Sequence, residues 1–170
     1  MMKLRFAESE ILKWANIYEC SQEELDIIQL KPQIQQIGYI DKTQLKRIAY
    51  WKSPRSAKHI ESNSDEYIKE ITSWSFSAKE ERSKIEVLTL LNGVSWPTAS
   101  VILHFFDIKC YPILDVRALW SIASENITQY SFSFWWDYVL FCREIAERNS
   151  IAMRALDRAL WQYSKENQTV

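Results

Sequence analysis

Residues 90–120 read LLNGVSWPTASVILHFFDIKCYPILDVRALW, and this stretch decides the fold. A helical pattern runs down to Leu91 and stops at Gly93, the second and last glycine of the chain. A new helix is predicted within three or four residues, with Ser95 as its cap and Pro97 in its first turn, where a missing N–H costs nothing. From Thr98 to Phe106 the pattern is apolar nearly all round, His104 being its only titratable side chain. A helix of that kind is buried on every side. A helix, a tight turn and a buried helix therefore form the centre from which the rest is placed.

Composition agrees. The chain has 170 residues with only 2 Gly and 4 Pro, far below the turn-residue content that hairpins, barrels and sandwiches need at each reversal. All-β architecture is excluded and α/β disfavoured. With 47% apolar and 14% aromatic residues the chain is too hydrophobic to be disordered, and its charges are too evenly spread for a membrane span. An all-α, multi-helix soluble domain covering residues 1–170 is expected, with a core segment at 42–122 and flanking helices in 1–41 and 123–170. Ser21 with Glu24 and Ser77 with Glu80 have capping-box spacing. Leu45, Ile48, Ala49 and Trp51 predict a helix ending near Ser53-Pro54. Two further helices are predicted over 132–148 and 151–166, the last capped by Ser150.

Net charge is −1, which argues against gripping nucleic acid by bulk charge. One stretch departs from this balance: Lys42, Lys46, Arg47, Lys52, Arg55 and Lys58 against Asp41 alone give residues 41–60 a charge of +5. A solvated helix face and a phosphate-tracking surface both fit. Cys20, Cys110 and Cys142 are too far apart for a disulfide framework or a CxxC-type metal site, and a reduced, cytoplasmic setting is expected. Charges interrupt MMKLRFAESEILKW where a secretory apolar run would lie, so no signal peptide or membrane anchor is expected.

Two features bear on chemistry. The turn at Gly93 exposes main-chain N–H groups at a helix N-terminus, an arrangement that binds phosphate without lysines; an ordinary turn between core helices has the same sequence. Twenty-two residues after Gly93 comes Asp115, a lone carboxylate in CYPILDVRALW followed by a helical pattern. It reads as a cap for the helix over 116–122 on position alone, and the sharper reading is a carboxylate at the mouth of an apolar cleft. His104, Trp135, Trp136 and Trp161 read as core residues. Arg117 has two possible partners, Asp115 or a phosphate.

These residues resemble a family. Leu91-Asn92-Gly93-Val94-Ser95-Trp96-Pro97-Thr98-Ala99 looks like the L-P-G-V-G-x-x-T-A hairpin of the helix-hairpin-helix DNA glycosylases, the endonuclease III superfamily. Tyr111-Pro112-Ile113-Leu114-Asp115 resembles the segment ending in that family's catalytic aspartate, in the form found in adenine mismatch glycosylases. The likeness spans about residues 42–122. It implies a bilobed helical fold with double-stranded DNA crossing between lobes. Main-chain N–H groups of Gly93, Val94, Ser95 and Trp96, with Thr98, would hold a backbone phosphate, with an alkali cation on hairpin carbonyls. Trp51, Lys52, Ser53 and Pro54 would form the wedge that fills the gap left by a flipped base. Arg55, Lys58 and Arg117 would meet phosphates. Asp115 would stabilise the oxocarbenium-like sugar as the base leaves.

Departures from the family pattern sharpen the expectation. Where strand-nicking relatives carry a Schiff-base lysine this chain has Pro97, which has no primary amine, so lyase activity by that route is excluded. Ser95 replaces the second hairpin glycine and brings a Cβ toward the phosphate. No iron–sulfur cluster and no other metal is expected, and the short stretch before the wedge implies a reduced second lobe. The expectation is a monomeric, monofunctional DNA glycosylase of base excision repair with Asp115 as the catalytic carboxylate. A non-catalytic helix-hairpin-helix DNA-binding module, or a helical interaction protein with Asp115 as a cap alone, are the alternatives.

Overall fold

The computed structural model describes residues 2–124 and 129–169. Every regular element among them is helical, and the all-α expectation holds. No helix among the described residues is long and apolar enough to cross a membrane. The chain forms two compact units, Cys20–Lys109 and a unit assembled from both ends, Met1–Glu19 with Cys110–Val170. The segment 42–122, read from sequence as one core, is thus divided after Lys109, and a unit built from two separated pieces leaves no linker to be read.

Within Met1–Glu19 lies α1 (Ile11–Ile17). The unit Cys20–Lys109 contains α2 (Gln22–Gln29), α3 (Lys31–Ile37), α4 (Lys42–Lys52), α5 (Pro54–Ala57), a 3-10 turn (Lys58–Ser62), α6 (Asp65–Ser77), α7 (Glu81–Leu88) and α8 (Trp96–Phe106). Helix α8 runs through its middle, and its residues are buried from Thr98 to Leu103 and again at Phe105 and Phe106; His104 is half-buried, edge-on to Phe105. Ile27, Ile34, Ile40, Leu45, Ile48, Ile68, Ile85 and Leu88 complete the core. Ser21 caps α2 by accepting from the Glu24 amide. A full capping box that sequence reading passed over starts α4, where Asp41 and Gln44 exchange side-chain and main-chain bonds at 2.8 and 3.0 Å.

Two expected caps are corrected. Ser77 closes α6, donating to the Trp74 carbonyl, and α7 starts after Glu80 with no side-chain cap bond. Ser150 lies in the turn before the last helix with φ +52°, and that helix starts after Ala152. In both places a hydroxyl finds a nearer main-chain partner or a turn conformation before the helix begins.

The second unit adds α9 (Val116–Ser121), α10 (Phe132–Arg148) and α11 (Met153–Asn167) to α1. Helix α11 packs on α1, α9 and α10. The N-terminal residues lie beside the end of α9, with Lys3 and Arg5 amides donating to the Ile122 and Ser121 carbonyls at 2.9 Å. Glu8 reaches Arg148 and Asn149 at the end of α10. Those hydrogen bonds, the Arg148 one foremost, hold the Glu8 carboxyl below its usual range.

In the Cys20–Lys109 unit a buried ion pair ties the end of α8 to α7. Lys84 Nζ lies 2.7 Å from Asp107 Oδ2, with side-chain exposures of 5% and 1%, and it also donates to the Phe76 carbonyl at 3.1 Å. Removing one partner leaves the other charge buried and uncompensated. Lys84→Met is expected to lose about 3–5 kcal/mol in urea denaturation, and the double variant Lys84→Met/Asp107→Leu to recover most of it. A double variant as unstable as the single one would disprove the account.

Candidate nucleic-acid interface and catalytic carboxylate

The hairpin is held by its neighbours. Gly93 takes φ +84°, a left-handed conformation that disfavours a side chain. A Cβ there would lie 2.8 Å from the Ser56 carbonyl oxygen and 3.0 Å from the Ile60 amide nitrogen, so the turn rests directly on the backbone of α5 and the 3-10 turn. Asn63, only 4% exposed, fixes the preceding residue on both sides. Its Oδ1 accepts from the Asn92 amide at 3.0 Å, and its Nδ2 donates to the Asn92 carbonyl at 2.9 Å and to the Ile60 carbonyl at 3.0 Å. A side chain acts here as a rung of β-ladder. Sequence reading missed Asn63, because nothing local marks an asparagine that bonds 29 residues away.

Val94 is buried and its amide closes the turn onto the Leu91 carbonyl at 3.0 Å. Ser95 occupies the N-cap position of α8, where the sequence predicts it, with its side chain exposed and no side-chain cap bond. Helix α8 opens with Trp96, half-buried, and Pro97. The first N–H groups of a helix have no partner inside it, so this end presents main-chain donors beside an exposed Ser95. Thr98 is wholly buried, its hydroxyl without a hydrogen-bond partner among the described residues; any contact with DNA falls to its amide. The Leu91 carbonyl accepts from the Val94 amide and the Asn92 carbonyl from Asn63 Nδ2. Among the described residues no group of three or more His, Cys, Asp or Glu could hold a metal ion.

The basic stretch divides. Lys46 Nζ is 2.8 Å from Glu61 and Lys42 Nζ donates to the Glu61 carbonyl at 2.9 Å, so these two cations serve the fold. The Lys46 hydrogen bond, then the charge of Lys42, lowers the Glu61 carboxyl. Arg47, Arg55 and Lys58 are exposed, and the last two flank the backbone against which Gly93 rests. Of the four expected wedge residues, Trp51 and Lys52 lie within α4, and Trp51 packs edge-on to Phe105 at 5.8 Å. Ser53 is the single residue between helices and Pro54 begins α5. The expected wedge loop is therefore a corner, Ser53-Pro54, because proline is tolerated at the first helical position and lets a new helix start at once.

Asp115 belongs to the other unit. An extended segment, Tyr111 to Leu114, is buried throughout and leads to it. Tyr111 stacks on Trp135 at 5.7 Å with the Arg143 guanidinium 4.8 Å from its ring centre. Both polar groups of Ile113 are taken by buried side chains: its amide donates to Asp157 at 3.1 Å, and its carbonyl accepts from the Tyr138 hydroxyl at 3.0 Å. Burial is the largest cause raising the Tyr138 pKa, which keeps the phenol a donor. Asp115 then caps α9, its Oδ1 accepting from the Arg117 amide at 2.9 Å, and it is half-buried. The Arg117 guanidinium lies 5.5 Å from the Trp161 ring centre. Tyr130, also half-buried, has its pKa raised by burial and then by the Asp115 charge, which places its phenol within the field of that carboxylate. Tyr130, Tyr138 and Asp157 escaped sequence reading.

No family model matches the sequence, and neither the curated proteins nor the solved structures offer a match.

The two glycines separate the cost of a left-handed φ from the cost of close approach. Gly38, which ends α3 at φ +78°, has nothing within 4 Å of an added Cβ. Gly38→Ala is expected to cost about 1–2 kcal/mol in urea denaturation, and Gly93→Ala clearly more. Equal losses at the two sites would count against the contact with Ser56.

Proposed function

We propose that the protein is a monofunctional DNA glycosylase: it takes a damaged or mispaired base out of the duplex and hydrolyses its N-glycosidic bond. The observation that carries this proposal is the order in which residues 90–120 fold. Helix, left-handed glycine turn, buried helix, extended apolar segment and aspartate-capped helix follow one another as the family resemblance requires.

In this proposal the amides at the start of α8 hold a backbone phosphate, with Arg55 and Lys58 as flanking cations. The Ser53-Pro54 corner holds the gap left by the flipped nucleotide. Asp115 acts at the sugar. As the C1′–N bond breaks, positive charge develops on the sugar ring and the carboxylate stabilises it. Water, oriented by the same carboxylate, adds its oxygen to C1′ and gives up a proton, and the base leaves with the bonding electrons and takes up a proton. Pro97 supplies no amine, so the reaction stops at the abasic site. No step runs through a metal ion.

A second reading, a hairpin module that binds DNA without chemistry, draws on the Asp115–Arg117 amide bond, which already gives the carboxylate a complete structural role.

Labelled duplexes carrying alkylated, oxidised, deaminated or mismatched bases separate the two. Strand breaks should appear only after hot alkali and only with the wild type, while Asp115→Asn loses at least about a hundredfold in rate, the scale on which a single electrostatic group contributes, and keeps DNA binding. Equal base release by wild type and variant would refute the role of Asp115. No release across the panel, with binding retained, would favour the non-catalytic module.

A further inference from the structure

The unit that carries Asp115 is not basic overall, but one face of its last helix gathers cations around aromatic rings. Helix α10 carries Arg143 and Arg148 beside Asp137, Glu144 and Glu147, and α11 presents Arg154, Arg158, Trp161 and Lys165 at intervals of four, three and four residues. That spacing puts all four on one helical face. Sequence reading assigned Trp161 to the core, but the ring is only half-buried. It lies edge-on to Tyr18 at 5.4 Å. The guanidinium carbons of Arg154 and Arg158 lie 5.5 and 5.3 Å from the Tyr18 ring centre. Lys165 Nζ and the Arg117 guanidinium carbon lie 5.4 and 5.5 Å from the Trp161 ring centre.

Two aromatic rings with cations on either side thus make a strip along α11, and Arg117 joins it to the residue that Asp115 caps. Two acidic residues on the helix, Asp157 and Glu166, offset part of this charge. Asp157 is buried and engaged by Arg154 and the Ile113 amide. Glu166 accepts from Gln162 at 2.9 Å. Arg117 and Lys165 make no ion pair among the described residues. From Arg154 to Lys165 the face spans roughly 17 Å at 1.5 Å per residue, about five nucleotide steps of one strand at 3.4 Å each.

We infer that this strip binds the sugar–phosphate backbone of a DNA strand beside Asp115, its cations on phosphates and its half-buried rings against sugars or exposed base edges. Interleaved cations and aromatic rings are how nucleic-acid grooves combine charge with stacking. An acidic peptide would use the cations and leave the rings without a stacking partner. The inference rests on DNA as the partner, as proposed above, and its test separates the two.

Binding of a labelled duplex is measured against salt concentration in the Asp115→Asn background, so that no base is released during titration. Each phosphate contact adds about 0.9 to the slope of log affinity against log salt. Arg117→Gln/Arg158→Gln/Lys165→Gln is expected to weaken binding and to lower the slope by about 2–3. Lys165→Gln alone, at an exposed position, should lower it by about 1 even if the triple variant folds poorly. An unchanged slope in Lys165→Gln and in a folded triple variant, with Arg55→Gln/Lys58→Gln still weakening binding, would overturn the strip and leave the hairpin proposal standing. Equal affinity for a polyglutamate peptide would overturn it in favour of an acidic protein partner. If the strip variants lower the slope but the wild type releases no base from any duplex, the strip stands and the glycosylase proposal falls.

Discussion

Buried backbone that belongs to neither helix nor sheet must find partners for every N–H and C=O, and in an all-helical chain only side chains and turns can supply them. Both segments of functional interest here lie outside the helices, the one before the glycine part-buried and the one before the aspartate buried. Asn92 before the glycine turn is bonded on both its amide and its carbonyl by Asn63. Ile113 before the aspartate is bonded on its amide by Asp157 and on its carbonyl by Tyr138. Each irregular stretch is thereby tied to its surroundings, and the turn or the carboxylate mounted on it is held in a set orientation. Gly93 adds a second fixing at the hairpin, since it lets the turn touch the Ser56 and Ile60 backbone where any side chain would collide.

These fixings also explain the division of the basic stretch. Residues 41–60 carry six cations, but the carboxylate of Glu61 draws in Lys46 and its carbonyl takes Lys42. Arg55 and Lys58 lie on the short elements that support the hairpin, and they remain exposed. Net charge near zero is compatible with DNA binding when donors are main-chain amides and when cations are gathered in a few places.

The parts of this fold that were legible in the sequence are those governed by short-range periodicity. Apolar spacing located α8, α10 and α11, and the rarity of glycine made the turn at Gly93 conspicuous. Asp115 was legible because a single carboxylate stands out after an apolar run. Asn63, Asp157 and Tyr138 were not, since each acts through a bond to backbone 25 to 44 residues away, and no local pattern records such a partner. The errors at Ser77 and Ser150 have a related cause: a serine beside a helix is as able to close one as to open the next, and the choice is made by main-chain geometry. The two-unit division was hidden for a topological reason, because one unit is closed by both chain ends.

Pro97 joins structure and chemistry at the centre of the proposal. At the start of α8 it removes no helical hydrogen bond and sets φ for the first turn, so it helps build the helix end proposed to hold a phosphate. It also takes the place in the hairpin where strand-nicking members of the family that the hairpin resembles carry an amine. A lysine there would supply a nucleophile for the sugar, and the proline withdraws it while stiffening the turn. The chemistry proposed for Asp115 depends on this absence, because without a covalent route the developing sugar cation has only the carboxylate and water to meet it, and hydrolysis is the outcome that remains.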